Sequence, residues 1–189
     1  MLRGIKVAVM AGPCVAMAVV LAAPVRAQQP SSAPSPEMQR LSNFIVGTFE
    51  VVERHHGRPG AAEWQATGTA SYRPGPDHLS VIEDYRSTGP QGAFSAVAVL
   101  WWDPEARVFR HFECESGDPC GVVDDKGAWD GEAIVFTRQM ERQGRKIVLE
   151  ERYDFSRPDT IVITSRASVD GAPPMTGMTI TYTRASRGR

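Results

Sequence analysis

The sequence predicts an all-β domain, an antiparallel up-and-down β-barrel of about ten strands with one short N-terminal helix. Three observations predict it. From Phe44 onward, long runs alternate apolar and polar residues with period two, as half-buried strands require. Turn-forming pairs punctuate these runs at short intervals: Pro74-Gly-Pro-Asp77, Gly89-Pro-Gln-Gly92, Asp103-Pro104, Asp130-Gly131, Gln143-Gly144, Pro158-Asp159 and Asp170-Gly171. No helical stretch lies between the runs, so there is no crossover to link parallel strands. A single sheet this long curls, and closing it removes its exposed edges. A β-sandwich is the second architecture.

Taken in order, the chain begins with a secretion signal. Arg3 and Lys6 precede an apolar run from Val7 to Pro24, and Val25-Arg26-Ala27 places small residues at the −3 and −1 positions of a cleavage site. Cleavage is expected after Ala27, so residues 1–27 leave, and the product is periplasmic or secreted. Gly12 and Pro13 interrupt the apolar run, which is short for a membrane span of about 20 residues. No membrane span is therefore expected in the mature chain. Residues 28–35, polar and rich in proline, read as a disordered leader. Ser35 suits a helix N-cap, with Pro36 at the first helical position and Glu37 in the first turn. Met38 and Leu41 give that helix one apolar face, and it should end near Asn43. One β domain then occupies residues 36–185, with a tail at 186–189.

The strand pattern is clearest where Leu79, Val81, Glu83 and Tyr85 share one face. Ile147, Leu149, Glu151, Tyr153 and Phe155 share another, and Met178, Ile180, Tyr182 and Arg184 a third. His55-His56, before Gly57-Arg-Pro-Gly60, reads as a solvated hairpin tip. Cys14 leaves with the signal, so Cys114 and Cys120 remain, flanking a loop of turn formers. In an oxidising compartment they are expected to form a disulfide. They lack C-x-x-C redox spacing, and two ligands are too few for a metal centre, so no metal site is expected.

The signal removes three of the 21 basic residues and none of the 22 acidic ones. The mature chain is thus net negative, which argues against a nucleic-acid partner. Chemistry-bearing residues appear instead on the inward faces. Glu83 and Tyr85 follow Val81, Arg138 follows Ile134 and Phe136, Glu151 and Tyr153 lie with Ile147 and Phe155, and Tyr182 and Arg184 with Ile180. That is more charge than an inert core holds, so these groups pair, meet a ligand or stand solvated at the rims. His111 shares a face with Phe109 and Glu113 and could be a ligand or a general base. No nucleophile elbow, zinc-protease motif, phosphate loop or dinucleotide fingerprint occurs.

The opening Met38-Gln-Arg-Leu-Ser-Asn-Phe-Ile-Val-Gly-Thr-Phe-Glu50 resembles uncharacterised, often exported bacterial domains whose first strand starts Leu/Val-x-Gly-x-Trp. Gly47-Thr48-Phe49 fills the Gly-x-Trp place, with Phe for Trp. Trp101-Trp102-Asp103-Pro104, Gly127-Ala-Trp-Asp-Gly131 and Tyr182-Thr183-Arg184 add to the resemblance. That family is similar in turn to calycin barrels, the lipocalins, fatty-acid-binding proteins and nitrobindin-like haem barrels. The resemblance implies a barrel of about ten strands and no established activity. Fatty-acid-binding proteins hold a carboxylate with an Arg and a Tyr two apart on the last strand; here Tyr182 and Arg184 come in the inverse order. No histidine follows His111, so haem by the nitrobindin route is not implied, and no cofactor is expected.

These readings combine into an exported barrel that binds a small, partly apolar or anionic molecule. Its ligand-binding residues would be Phe49, Trp64, Glu83, Tyr85, His111, Arg138, Glu151, Tyr153, Tyr182 and Arg184. Two alternatives stand beside it. One is a barrel enzyme using Glu83, His111 or Glu151 as acid or base, and the other a packed structural barrel whose rim aromatics meet a partner.

Overall fold

A computed structural model describes residues 33–57 and 62–186. The expected signal (1–27), most of the leader, the tip of the first hairpin and the end of the tail lie outside the described residues.

Helix α1 spans Pro36–Ile45, and the Ser35 side chain caps it by accepting from the Met38 amide at 3.1 Å. It runs two residues past the expected end, because Ile45 continues the Met38–Leu41 stripe and all three are buried. Burying side chains of this size contributes about 2 kcal/mol each. Ten strands follow: β1 Gly47–His55, β2 Trp64–Pro74, β3 Ser80–Gly89, β4 Gly92–Asp103 and β5 Val108–Glu115. The rest are β6 Gly121–Asp130, β7 Ala133–Arg142, β8 Arg145–Arg157, β9 Thr160–Val169 and β10 Met175–Arg184.

Each strand pairs antiparallel with the next, and β10 returns to β1, so the sheet is a closed ten-stranded up-and-down barrel. The turn chemistry fits the meander. Between β7 and β8, Gln143 and Gly144 take φ of 53° and 71° across a two-residue loop, the mirror-image turn whose twist matches that of the strands. Leu79, expected to face inward, sits in the bend before β3 and is exposed. Cys114 and Cys120 are joined by a disulfide that pins the β5–β6 hairpin.

The two ends of the barrel are filled differently. The end where β1 begins and β10 ends is plugged by bulky residues, among them Phe49, Leu100, Phe109, Ile134, Phe136 and Phe155. Helix α1 covers this end: Phe44 stacks on Phe155 with centroids 5.0 Å apart, and Arg40 lies 3.8 Å over the Trp129 ring. Phe136 fits because Gly127 faces it; a Cβ there would fall 2.5 Å from the ring. Toward the other end, inward positions are taken by Ala66, Ala96 and Ala98. Small side chains leave space there.

Candidate functional site

That space is a cavity of about 640 Å³ at the end opposite the helix. Its walls follow from sheet register. Glu83, Ala98 and Glu113 stand side by side on β3, β4 and β5; Tyr85, Ala96 and Glu115 do the same one step closer to the mouth. Tyr153, Ile163, Ile180 and Tyr182 complete the far wall, and Glu151 joins from β8. The Tyr182 hydroxyl donates to Glu83 at 3.3 Å. Burial is the main influence on Glu83 and outweighs the tyrosine hydroxyls around it, raising its pKa from 4.5 to about 7.

Near the mouth, Glu53 is only 7% exposed and is held from two sides. The Tyr85 hydroxyl donates to it at 2.5 Å, and His55 Nε2 lies 2.6 Å away. Burial alone would raise Glu53, but hydrogen bonds from Ser87, Tyr85 and His55 outweigh it and hold the carboxyl below its ordinary pKa. Burial, with the same carboxylate, drives the Tyr85 hydroxyl upward. His55 also stacks on Trp64, rings 3.5 Å apart and nearly parallel. The expectation of a solvated His55 is therefore corrected. With Phe49, Val51 and Glu53 it lies on the inward alternation of β1, and Trp64 opposite it supplies an apolar face.

A side chamber of about 280 Å³ adjoins the cavity and shares Glu113, Glu115 and Glu151 with it. His111 is buried there between two carboxylates: Nε2 lies 3.2 Å from Glu113 and Nδ1 3.4 Å from Asp125. Burial works against charging the ring, but the hydrogen bond to Glu113 and the charges of Glu113 and Asp125 prevail, so its pKa is raised. Asp125 arrives by an irregularity in the ladder. Phe109 pairs with Gly127 but His111 with Val123, so β6 carries two extra residues across this step. Asp125 is 6% exposed and burial raises its carboxyl to about 6. Its Oδ1 has no hydrogen-bond partner among the described residues.

Of the residues expected at the site, Trp64, Glu83, Tyr85, Glu151, Tyr153 and Tyr182 line the main cavity. His111 and Arg138 line the side chamber. Phe49 and Arg184 line neither, because both belong to the closed end. Arg184 donates to the carbonyls of Val46 and Phe44 at 2.8 and 2.9 Å, and its guanidinium lies 4.8 Å over the Phe49 ring. Gly47 makes room for it, with φ of 147° and no Cβ in the way of the guanidinium. The Gly47-Thr48-Phe49 motif and Arg184 thus lock the first strand to the last. Phe49 meets Tyr72 and Tyr182 edge-on inside this lock.

Sequence reasoning passed over Glu53, Glu113, Glu115 and Asp125 as site residues. Alternation alone puts Glu53 behind Phe49 and Val51, and Glu113 and Glu115 behind Phe109 and His111. Asp125 had no such signal, since the slip in register that carries it inward is a property of the paired strands.

No protein-family model matches the chain, and no curated protein does. Solved structures match in fold. The S-type phycobiliprotein lyase CPES from Guillardia theta superposes with a TM-score of 0.56 at 12% identity, over 79% of this chain and 93% of that one. Rv2717c from M. tuberculosis superposes with a TM-score of 0.54 at 11% identity, over 81% and 99%. Both are calycin-like barrels, and this chain has their fold.

Proposed function

We propose that this protein binds a small, partly apolar molecule in the open half of its barrel, and that it does so outside the cytoplasm. One observation carries the first part: about 640 Å³ of internal space, bordered by aromatic rings and converging polar groups, is the size of a ligand site. The helix end is tightly filled, so the space comes from chosen small residues rather than loose packing throughout. Export rests on the signal-like residues 1–27 and on the Cys114–Cys120 disulfide, which suits an oxidising compartment.

The acid–base alternative draws on Glu83, whose pKa of about 7 suits proton transfer. It is the weaker reading, because His111 offers no free ring nitrogen. Both of its nitrogens face carboxylates, an arrangement that favours a fixed imidazolium. Tyr182 donates to Glu83, and the described residues place no nucleophile activated by a base beside it.

The test is native against denaturing mass spectrometry on protein purified without added ligand, together with titration of N-phenyl-1-naphthylamine fluorescence. A mass excess seen only in the native spectrum, or saturable dye uptake, is expected. Ala98→Trp, filling the space between Glu83 and Glu113, should abolish both while leaving the far-ultraviolet circular dichroism unchanged. No mass excess and no dye uptake by the unmodified protein would refute the reading.

A further inference from the structure

We propose that the cavity is built for an organic cation, an ammonium, amidinium or guanidinium group carried on an aromatic or otherwise apolar body. This inference rests on the cavity being a ligand site and adds the chemical class of its occupant.

The lining is mostly acidic, with His55 and His56 its only basic side chains among the described residues. Glu53, Glu83, Glu113, Glu115 and Glu151 border the main cavity, and among the described residues no Lys or Arg does. Glu53 is held by Tyr85 and His55, Glu83 accepts from Tyr182, and Glu113 faces His111. Register sets three of the five close together, Glu83 and Glu113 on either side of Ala98 and Glu115 beside Ala96. Like charges on neighbouring strands repel, and burial sharpens the cost. The side chamber offers them His111 and Arg138, but it adds Asp118 and Asp125 of its own.

The side chamber adds further carboxylates to this count. Asp125, 6% exposed, borders it with one oxygen 3.4 Å from His111 Nδ1 and with Oδ1 buried without a hydrogen-bond partner among the described residues. Ammonium and guanidinium groups supply several N–H donors with a positive charge. The rings of Tyr85, Phe94, Tyr153 and Trp64 add faces that attract cations and pack an apolar body.

The arrangement also separates an organic cation from other occupants. Among the described residues no three His, Cys, Asp or Glu side chains converge as metal ligands do, so the negative charge is spread around a roomy wall. An anion would meet a wall where carboxylates outnumber cationic groups, since His111 and Arg138 lie in the side chamber among acidic partners and Arg184 is committed to the closed end. A neutral ligand would leave the carboxylates unneutralised. Burial raises Glu115 and Glu151 as it does Glu83, the condition a bound cation relieves.

Three probes sharing one body test this by calorimetry near pH 8: 2-naphthylmethylammonium, 2-naphthylmethanol and 2-naphthoate. The ammonium should bind about tenfold or more tightly than the alcohol, and the naphthoate most weakly. Glu113→Gln with Glu151→Gln, which keeps side-chain volume, should bring the ammonium's affinity to within about threefold of the alcohol's and leave the alcohol's unchanged. If that pair does not fold, the ranking on the unmodified protein decides alone. Alcohol binding as tight as ammonium, or naphthoate binding tightest, overturns the cationic class and leaves the ligand-site reading standing. A co-purified molecule that proves basic supports the proposal, and a neutral or acidic one overturns it. No binding of any probe and no co-purified mass overturns both.

Discussion

Replacing Glu83 by Gln should stabilise the folded protein at alkaline pH and leave it unchanged in acid. In the unfolded chain this carboxyl loses its proton near 4.5; in the barrel, where burial dominates, it keeps the proton up to about 7. The groups around it are the hydroxyls of Tyr72 on β2 and Tyr182 on β10, with His111 and Glu113 on β5. Below pH 4.5 both states are protonated and the site costs nothing. Between 4.5 and 7 the folded state binds more protons than the unfolded one, so stability falls as pH rises. Above 7 the whole cost is present, about 3 kcal/mol at about 1.4 kcal/mol for each pH unit. The amide of the variant keeps an acceptor for Tyr182 and carries no charge, so it escapes this cost. Urea unfolding followed by tryptophan fluorescence, at about pH 4 and about pH 8, measures the difference. Trp102 and Trp129 report on it, because both pack against the core at the closed end. A gain of about 1–3 kcal/mol at pH 8, absent at pH 4, is expected. Equal stability of the two proteins at pH 8, or the same change at both pH values, would refute the claim that Glu83 is held against its desolvation.

Arg184→Met should lower stability by about 2–3 kcal/mol, since two carbonyls and the Asp159 carboxylate lose a charged donor. Probe binding in the cavity should be unchanged, which calorimetry checks and which a ligand-binding Arg184 would contradict. His111→Phe should cost about 2–4 kcal/mol near pH 6 by leaving Asp125 and Glu113 without their shared partner. Because His111 is raised above 6.5, the stability it contributes is complete below that pH and fades as pH passes its folded value, so the loss should shrink in alkali. Adding Asp125→Asn should recover part of it in a double-mutant cycle. Reducing the Cys114–Cys120 bond should cost about 2 kcal/mol, the chain-entropy value for so short a loop, seen as a lower urea midpoint with the mass raised by two hydrogens.

Period-two alternation determined the strands, and turn pairs such as Gln143-Gly144 determined where they reverse. Both are local: a strand has two faces, and a left-handed turn admits few residues. The helix was legible from Ser35, Pro36 and the Met38–Leu41 spacing, and the disulfide from two cysteines around a turn-rich loop. Alternation also placed Glu83, Tyr85, Glu151, Tyr153 and Tyr182 on inward faces. It could not say at which height in the barrel an inward residue stands, and height separates Arg184, locked over Phe49, from Glu83 at the cavity wall. Tertiary structure alone decided that, because height is set by pairing with strands distant in sequence. The same holds for Asp125, which the slip between β5 and β6 turns toward His111. It holds for the cavity too: Ala66, Ala96 and Ala98 are unremarkable along the chain, and only closure of the sheet brings their missing volume to one end.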